Sequence, residues 1–249
     1  MKCLLYAAVI AMCFCFSRCH SQTQKTTAEI KPSTNYTYDK PSAGGTGKFY
    51  FGREIAQVMG YAGAAWLERS ERQQEENTTL AIDKMNLSGN EAVADIGAGS
   101  GYYTFRIAAK VPQGKVYAVE IQDEMIRLLN EHKQKEMATN VFVVKGSDTS
   151  PNLPPRSVDL AIMVDVYHEL EYPHEVLESI RQALKDSGKL LLIEYRGEDS
   201  ALAIKPLHKT TVAQLNKELG ANGFKLLYLG EFLPIQHFLL YSKDDTTAH

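Results

Sequence analysis

The stretch "VADIGAGSGYYT", residues 93–104, decides the fold of this chain. An apolar run that ends at Ile96 is followed at once by Gly97, Gly99 and Gly101. Glycine lets the backbone turn tightly and lets a ligand approach without a Cβ in the way. A helix that begins directly after the glycines would point its free N–H groups into the same space. The stretch therefore predicts a ligand-binding loop between a buried strand and a helix.

Strands and helices alternate around this loop. Strand-like apolar runs recur in "EAVADI", "GKVYAVEI", "NVFVVKG", "SVDLAIMVDV" and "GKLLLIEYR", and helical stretches lie between most of them. Such alternation predicts an α/β fold, doubly wound around a mostly parallel sheet. The last two strands, "FKLLYLGEF" and "QHFLLYSK", are too close for a helical crossover. We therefore expect them to form an antiparallel hairpin at one sheet edge.

The glycine spacing argues against a dinucleotide ligand. A dinucleotide fingerprint is G-x-G-x-x-G, whereas this loop is G-x-G-x-G, with Asp95 two residues ahead of it. A carboxylate at that place suits a ligand with a positively charged amino-acid end. Glu120 ends the next strand, where a carboxylate accepts ribose hydroxyls, and Asp148 follows the third, within reach of an adenine amino group. The three acids predict a ligand with amino-acid, ribose and adenine parts.

Taken together, these motifs resemble the class I S-adenosylmethionine-dependent methyltransferases. The resemblance covers residues 80–242 and rests on "VADIGAGSG", "VYAVEI", "GSD", "LPPRSVDLAIMVDVYHEL" and "LKDSGKLLLIEY". It implies a seven-stranded Rossmann-like sheet with an antiparallel last strand, and S-adenosyl-L-methionine as the cofactor. By resemblance, the cofactor-binding residues would be Asp95, Gly97, Gly99 and Gly101 at the methionine part, Glu120 at the ribose, Ile121 and Asp148 at the adenine, and Asp165 and Val166 closing the site.

The implied activity is methyl transfer to a small-molecule acceptor. The sulfonium carbon is already activated, so the protein mainly supplies proximity and alignment. A base is needed only if the acceptor must lose a proton. Asp165 and His168 are the candidate catalytic residues, and Glu194 at the end of the following strand is a further option. Packing or capping is the alternative role for His168, and a purely structural turn is the alternative for the glycine loop.

Two classes of partner are not expected. His168 and His174 are separated by Pro173 and cannot share one helical face, and no third ligand is obvious in the sequence, so we expect no metal site. The net charge is −3 and no basic stripe appears along the chain, so we expect no nucleic-acid partner.

The N-terminal region has the features of a targeting segment. Lys2, a short apolar run and the small-residue region "SRCHSQ" predict a signal segment over residues 1–19. It resembles a bacterial lipoprotein signal with Cys19 as the site of a lipid anchor, although Arg18 favours plain secretion. We expect an exported protein, periplasmic or membrane-anchored, and a cytoplasmic one if the segment is not a signal. All four cysteines lie in this segment: Cys3, Cys13, Cys15 and Cys19.

Two segments lie between the signal and the main domain, which spans residues 89–249. Residues 20–46 are polar and rich in Thr, Ser, Pro and Gly, which predicts a flexible tether. We expect residues 47–88 to form an N-terminal helical lid over a small substrate. The alternative is a structural helix pair at the sheet edge. The notable side chains of this lid are Tyr50, Arg53, Trp66 and Arg69. Because export would separate the protein from the cytosolic methyl donor, an exported non-catalytic binding protein is the alternative function.

Overall fold

A computed structural model of the protein describes residues 36–244. The predicted signal segment, Cys19 with its possible anchor, and residues 20–35 of the predicted tether lie outside the described residues. Between residues 36 and 244, no helix is both long enough and apolar enough to cross a membrane.

The described chain begins with a small antiparallel sheet. Its strands are β1 (Tyr36–Tyr38), β2 (Gly45–Tyr50) and β3 (Arg53–Ala56), which pair in that order. Two predictions from the sequence are wrong here, because strands occur within residues 36–46 of the predicted tether and β3 replaces part of the predicted helical lid. The hairpin forms because the Glu54 carboxylate accepts hydrogen bonds from the amides of Ser42 and Gly47, both at 3.0 Å. Tyr50 and Ile55 then bury fully against the rest of the domain.

Three short helices follow instead of the predicted helix pair. They are α1 (Ala64–Leu67), α2 (Arg72–Glu76) and α3 (Thr78–Asp83). Asn77, between α2 and α3, has a left-handed backbone with φ of 53°, which interrupts the helical path. The predicted N-terminal lid is therefore a mixture of strands and short helices.

The main domain is a seven-stranded sheet with helices on both faces. In chain order its elements are β4 (Ala92–Ile96), α4 (Tyr102–Lys110), β5 (Lys115–Glu120), α5 (Asp123–Lys135), β6 (Val141–Lys145), β7 (Val158–Val164), α6 (Pro173–Ala183), β8 (Leu184–Tyr195), α7 (Val212–Ala221), β9 (Phe224–Gly230) and β10 (Gln236–Lys243). The spatial order is β6-β5-β4-β7-β8-β10-β9. All neighbouring pairs from β6 to β8 are parallel, and β10 is antiparallel to both β8 and β9.

This topology confirms the predicted doubly wound fold and its antiparallel last strand. The predicted hairpin of the last two strands occupies one edge of this sheet, with β10 paired to β8 and β9 outermost. Side chains alternate across the sheet: Val93 and Ile162 pack on the face covered by α4, whereas Ala94 and Met163 pack on the face covered by α6 and α7. The carboxyl ends of the parallel strands β4, β5, β6 and β7 consequently lie next to one another at one end of the sheet.

Candidate functional site

A cavity of about 530 Å³ lies at the end of the sheet where these parallel strands terminate. Of the residues predicted for the site, eight line the cavity: Gly97, Gly99, Glu120, Ile121, Asp148, Asp165, Val166 and His168. They come from four different strand ends, as the parallel topology requires. Asp95 and Gly101 are not part of the lining.

The glycine loop forms one wall of the cavity. The amides of Gly97 and Ala98 both donate to the carbonyl of Val119, at 2.9 and 3.0 Å, which fixes the loop to β5. Gly97 has φ of 74°, and a Cβ there would lie 2.6 Å from Val166 Cγ2. Gly99 has φ of 55°, and a Cβ there would lie 2.8 Å from Leu67 Cδ1. Both positions therefore need glycine for conformation and for space.

Asp95 and Gly101 support the loop from behind. Gly101 is the N-cap residue of α4 with φ of 90°, and a Cβ there would lie 2.4 Å from the ring of Phe105. Asp95 is buried and accepts a hydrogen bond of 2.6 Å from Thr104 Oγ1. Burial raises the pKa of Asp95 to about 6, although the bond from Thr104 acts in the opposite direction. In this structure the two residues shape the loop and do not face the ligand space.

The Glu120 carboxylate joins the glycine loop to the end of β5. Its Oε2 accepts from the Gly99 amide at 3.0 Å, and its Oε1 accepts from the amides of Ile121 and Gln122, at 2.7 and 2.9 Å. A carboxylate has about four acceptor positions. Oε2 therefore keeps one acceptor position for a ligand hydroxyl without the loss of an existing bond.

The predicted adenine end of the cavity follows β5 and β6. Ile121 is 37% exposed, which leaves its side chain available for contact with a flat ligand. Asp148 is exposed in the turn after β6, where the Gly146 amide donates to the Glu120 carbonyl at 2.9 Å. This bond brings the turn against the end of β5, and both predicted adenine contacts line the cavity there.

Asp165 occupies a strained position at the end of β7. Its φ is 53°, and its Oδ2 accepts a hydrogen bond of 2.7 Å from Gln236 Nε2 on β10. Its Oδ1 is buried and has no partner among the described residues. Burial, followed by repulsion from Glu76 and Glu194, raises the pKa of Asp165 well above its usual range. The neutral acid is thereby favoured, which makes Asp165 a poor proton acceptor and weighs against the predicted base role.

His168 is held in place by Glu194. The Nδ1 atom of His168 lies 2.6 Å from Glu194 Oε2, and Glu194 Oε1 accepts from the amides of Val166 and Tyr167 at 3.1 and 2.8 Å. The His168 ring is almost fully buried. A carboxylate on Nδ1 fixes the tautomer and leaves Nε2 as the working atom. Glu194, the further candidate for a catalytic base, therefore orients the His168 ring and does not line the cavity.

His208 is a cavity residue that the sequence analysis missed. It ends a short 3-10 helix (Pro206–His208), and its Nδ1 lies 3.0 Å from His168 Nε2 and 3.3 Å from Glu169 Oε1. His174, the histidine weighed in the sequence as a second metal ligand beside His168, instead forms a hydrogen bond with Asn222, with 2.7 Å between Nδ1 and Oδ1. His208 lies forty residues from His168 in the chain, and nothing in the sequence signals their contact.

The N-terminal region covers one side of the cavity. Val58, Met59, Trp66 and Leu67 are part of the lining. The Met59 amide donates to Glu169 Oε2 at 3.2 Å, and the Met59 carbonyl accepts from Gln122 Nε2 at 3.0 Å. We call residues 58–67 the cavity cover, because these bonds attach it to both ends of the cavity.

The four side chains named for the lid divide into two groups. Trp66 lines the cavity and stacks against the Arg69 guanidinium, 3.8 Å from the ring centre. Tyr50 is fully buried, and Arg53 donates to Glu218 through two bonds of 2.8 Å. Tyr50 and Arg53 therefore attach the small sheet to the rest of the domain and are not part of the cavity lining.

Comparison with known proteins agrees with this geometry. A family model described as "Methyltransferase domain" matches residues 94–190. A relative in Schizosaccharomyces pombe, "Uncharacterized methyltransferase-like C25B8.10", is 28% identical over 53% of this chain and 49% of its own length. The ubiquinone/menaquinone biosynthesis C-methyltransferase UbiE of Ectopseudomonas mendocina is 27% identical over 51% of this chain and 50% of its own. The chain thus spans about half the length of the curated relatives it matches.

Solved structures share the fold over a larger part of the chain. A SAM-dependent methyltransferase from Aquifex aeolicus has a TM-score of 0.70 at 23% identity, over 74% of this chain and 98% of that one. The [4+2]-cyclase SpnF has a TM-score of 0.55 at 20% identity, over 62% of this chain and 58% of that one.

These matches identify residues 94–190 as a methyltransferase domain, and its glycine loop and strand-end acids are those of the class I S-adenosylmethionine-dependent type. The cofactor of this family is S-adenosyl-L-methionine, so the family and the cofactor predicted from the sequence are both confirmed. The residues present fit that cofactor, because Gly97 and Gly99 leave space that a Cβ would fill and Glu120 keeps an acceptor position.

Proposed function

We propose that this protein transfers the methyl group of S-adenosylmethionine to a small-molecule acceptor bound in the same cavity. One observation carries the proposal: a single cavity extends from the glycine loop to His168 and His208. Its volume of about 530 Å³ falls within the range of roughly 300–1,000 Å³ that is usual for small-molecule sites. Donor and acceptor would therefore meet without a large movement of the sheet.

The donor end is the end at the glycine loop. Gly97 and Gly99 would hold the methionine part, Glu120 the ribose, and Ile121 with Asp148 the adenine. The cofactor supplies an activated methyl group on a sulfonium. The protein's own residues supply the alignment, since Glu120 and the loop amides are already fixed by the hydrogen bonds described above.

The acceptor end of the cavity is lined by both apolar and polar side chains. Met59, Trp66, Leu170 and Ile204 contribute apolar surface, and His168, Glu169 and His208 contribute polar atoms. The O-methyltransferase NcsB1, which has a TM-score of 0.61 at 14% identity, was solved with S-adenosyl-L-homocysteine and 1,4-dihydroxy-2-naphthoic acid. Together these features support a small, partly apolar acceptor with a polar reacting group.

His168 is the residue we propose to accept a proton from the acceptor when one must leave. Glu194 orients its ring and would stabilise the positive charge that forms. Asp165 is better suited to donate a hydrogen bond, because its raised pKa favours the neutral acid.

Two measurements test the proposal. Calorimetry of the protein with S-adenosylhomocysteine should show binding of one ligand per chain. Conversion of S-adenosylmethionine to S-adenosylhomocysteine should then rise in the presence of a suitable member of a panel of small hydroxylated and amino compounds. The control is Gly99→Arg, whose side chain would fill the donor end. Absence of affinity for either compound would overturn the proposal, and binding without turnover across the panel would favour the non-catalytic alternative.

We also propose that the protein is exported, with Cys19 as the lipid-bearing residue if it is anchored. Support comes from the sequence of residues 1–22, with Lys2, the apolar run and the small residues after it. Cell fractionation with mass spectrometry of the purified N-terminus provides the test. A start at Cys19 with added diacyl mass supports the anchor, and a start at Arg18 or His20 supports secretion. An intact Met1 in the cytosolic fraction would contradict both.

A further inference from the structure

We propose that His168, Glu169 and His208 bind a divalent metal ion of the zinc class at the acceptor end of the cavity. Each residue offers one ligand atom, and the three atoms lie within 4.8 Å of one another. The inference concerns metal binding alone and does not depend on methyl transfer.

The distances between the three ligand atoms match those around a bound ion. His168 Nε2 and His208 Nδ1 are 3.0 Å apart, His208 Nδ1 and Glu169 Oε1 are 3.3 Å apart, and His168 Nε2 and Glu169 Oε1 are 3.8 Å apart. Zinc bonds to nitrogen and oxygen are about 2.0–2.1 Å long, which gives ligand–ligand separations of roughly 3.3 Å in a tetrahedron. An ion would therefore fit with shifts of a few tenths of an ångström.

Partners behind the ligands already fix two of them. The Nδ1 atom of His168 faces Glu194 Oε2, which is the arrangement that orients metal-binding histidines and directs Nε2 to the ion. The other oxygen of Glu169, Oε2, accepts from the Met59 amide, so Oε1 is the atom presented to the two rings. His168 Nε2 and Glu169 Oε1 are therefore the free ends of two side chains that are held from behind, and both lie beside His208 Nδ1.

Charge also favours a cation at this point. Glu169 and Glu194 both lie against His168, with carboxylate oxygens 3.8 and 2.6 Å from its ring nitrogens. The Glu194 side chain has no exposure and that of Glu169 has only 13%. Two carboxylates with little access to water, one beside the ligand atoms and one behind His168, are stabilised by a nearby doubly charged ion.

The ligand set leaves a coordination position open. Two histidines and one glutamate are the protein ligands of a known type of catalytic zinc site, in which the fourth position holds water or substrate. All three residues line the cavity, so the open position faces the space assigned to the acceptor. A bound ion would occupy His168 Nε2, and this histidine would then act as a ligand and not as a free proton acceptor.

The test is a metal titration of the chelator-treated full chain. Calorimetry with Zn²⁺ should give one high-affinity ion per chain, and Co²⁺ should give the visible absorption of a tetrahedral nitrogen–oxygen site. His208→Ala should abolish this absorption. Glu194→Gln keeps the acceptor for the two amides but moves the proton to His168 Nε2, and it should weaken Zn²⁺ binding by about 10–100-fold. The control is His237→Gln, because His237 also contacts two carboxylates, Glu198 and Glu231.

The outcomes separate this inference from the proposed function. His237→Gln should bind Zn²⁺ as the wild type does. Equal binding by wild type and His208→Ala, or no saturable binding by a wild type with a normal thermal unfolding transition, would overturn the inference. Affinity for S-adenosylhomocysteine should be unchanged in the metal-free protein. Loss of that affinity in all forms would instead count against the proposed function, with the metal result standing by itself.

Discussion

At Glu120, one side chain both supports the glycine loop and lines the cavity. Replacement by alanine should weaken S-adenosylhomocysteine binding by about 1.5–3 kcal/mol, the scale of a hydrogen bond to a charged group. The loss includes the Gly99 amide, which would no longer be fixed to β5. Calorimetry provides the measurement. Asp123→Ala, which removes an exposed acid paired with Lys145 at the start of α5, should leave the affinity unchanged.

Asp95 should make the stability of the domain depend on pH. Burial raises its pKa from 3.8 to about 6, so the unfolded chain releases this proton first as the pH rises. The free energy of unfolding therefore falls between about pH 4 and 6, by about 2–3 kcal/mol from this group at 1.36 kcal/mol per unit. Asp95→Asn has no ionisable group at this position, so it does not lose this stability as the pH rises. Its side-chain oxygen can still accept the hydrogen bond from Thr104. The stability of the variant relative to wild type should thus rise with pH.

Urea unfolding at a series of pH values checks this expectation. Asp83→Asn is the matched control, because Asp83 is an exposed acid on α3, paired with Lys110. A difference between Asp95→Asn and wild type that stays constant from pH 4 to 7 would show that the buried carboxyl does not carry the effect.

The candidate site was predictable where strand ends define it. Gly97, Glu120 and Asp148 lie where the sequence placed them because a parallel sheet brings the carboxyl ends of its strands to one edge. Asp95 lies behind the lining of the cavity because its short side chain is buried beside Thr104, and its contact with the cofactor stays a prediction. His208 was missed because it comes from a loop without periodicity, and only the folded chain brings it to His168.

Among the elements, the buried ion pair of Arg53 and Glu218 attaches β3 to α7. Glu218 also accepts from Tyr167 and Gln214, at 2.8 and 2.7 Å, and its side chain is fully buried. Arg53→Met would leave this carboxylate without a cation, which typically destabilises by about 3–5 kcal/mol. Urea unfolding should show this loss.

The double variant tests the physical cause of that loss. Arg53→Met combined with Glu218→Gln removes both charges and keeps an acceptor for Tyr167 and Gln214, so no buried charge is left without a partner. The double variant should therefore unfold at a higher urea concentration than Arg53→Met alone. A double variant that is less stable than the single one would show that packing, and not the unpaired charge, dominates.

Periodicity predicted the elements of the main sheet but not the small sheet. Long alternations of apolar strands and amphipathic helices dominate residues 92–243, and tertiary packing agrees with them. In β3, only four residues long, the apolar pattern suits a helix as well as a strand. The pairing with β2 and the Glu54 bonds decide the outcome, and neither is visible as a local pattern.

At the scale of the whole molecule, ligand binding should stabilise the fold. A ligand present at about 100 times its Kd adds about 2.7 kcal/mol to the free energy of unfolding. For a domain of this size that corresponds to an increase in Tm of roughly 5–10 °C. Differential scanning calorimetry with S-adenosylhomocysteine provides the measurement. Glu120→Ala, at the same ligand concentration, should show a smaller increase, and an equal increase would place the ligand elsewhere.

The insertion of β10 between β8 and β9 has a consequence for synthesis. A ribosome delivers β8 well before β10, so one edge of β8 stays without its partner while the intervening chain emerges. The centre of that strand, Leu190, Leu191, Leu192 and Ile193, is fully buried in the finished domain. An apolar strand with an open edge is a template for pairing with other chains. The nascent protein therefore has an aggregation-prone strand edge until β10 pairs with β8. Only then can Gln236 on β10 donate its hydrogen bond to Asp165.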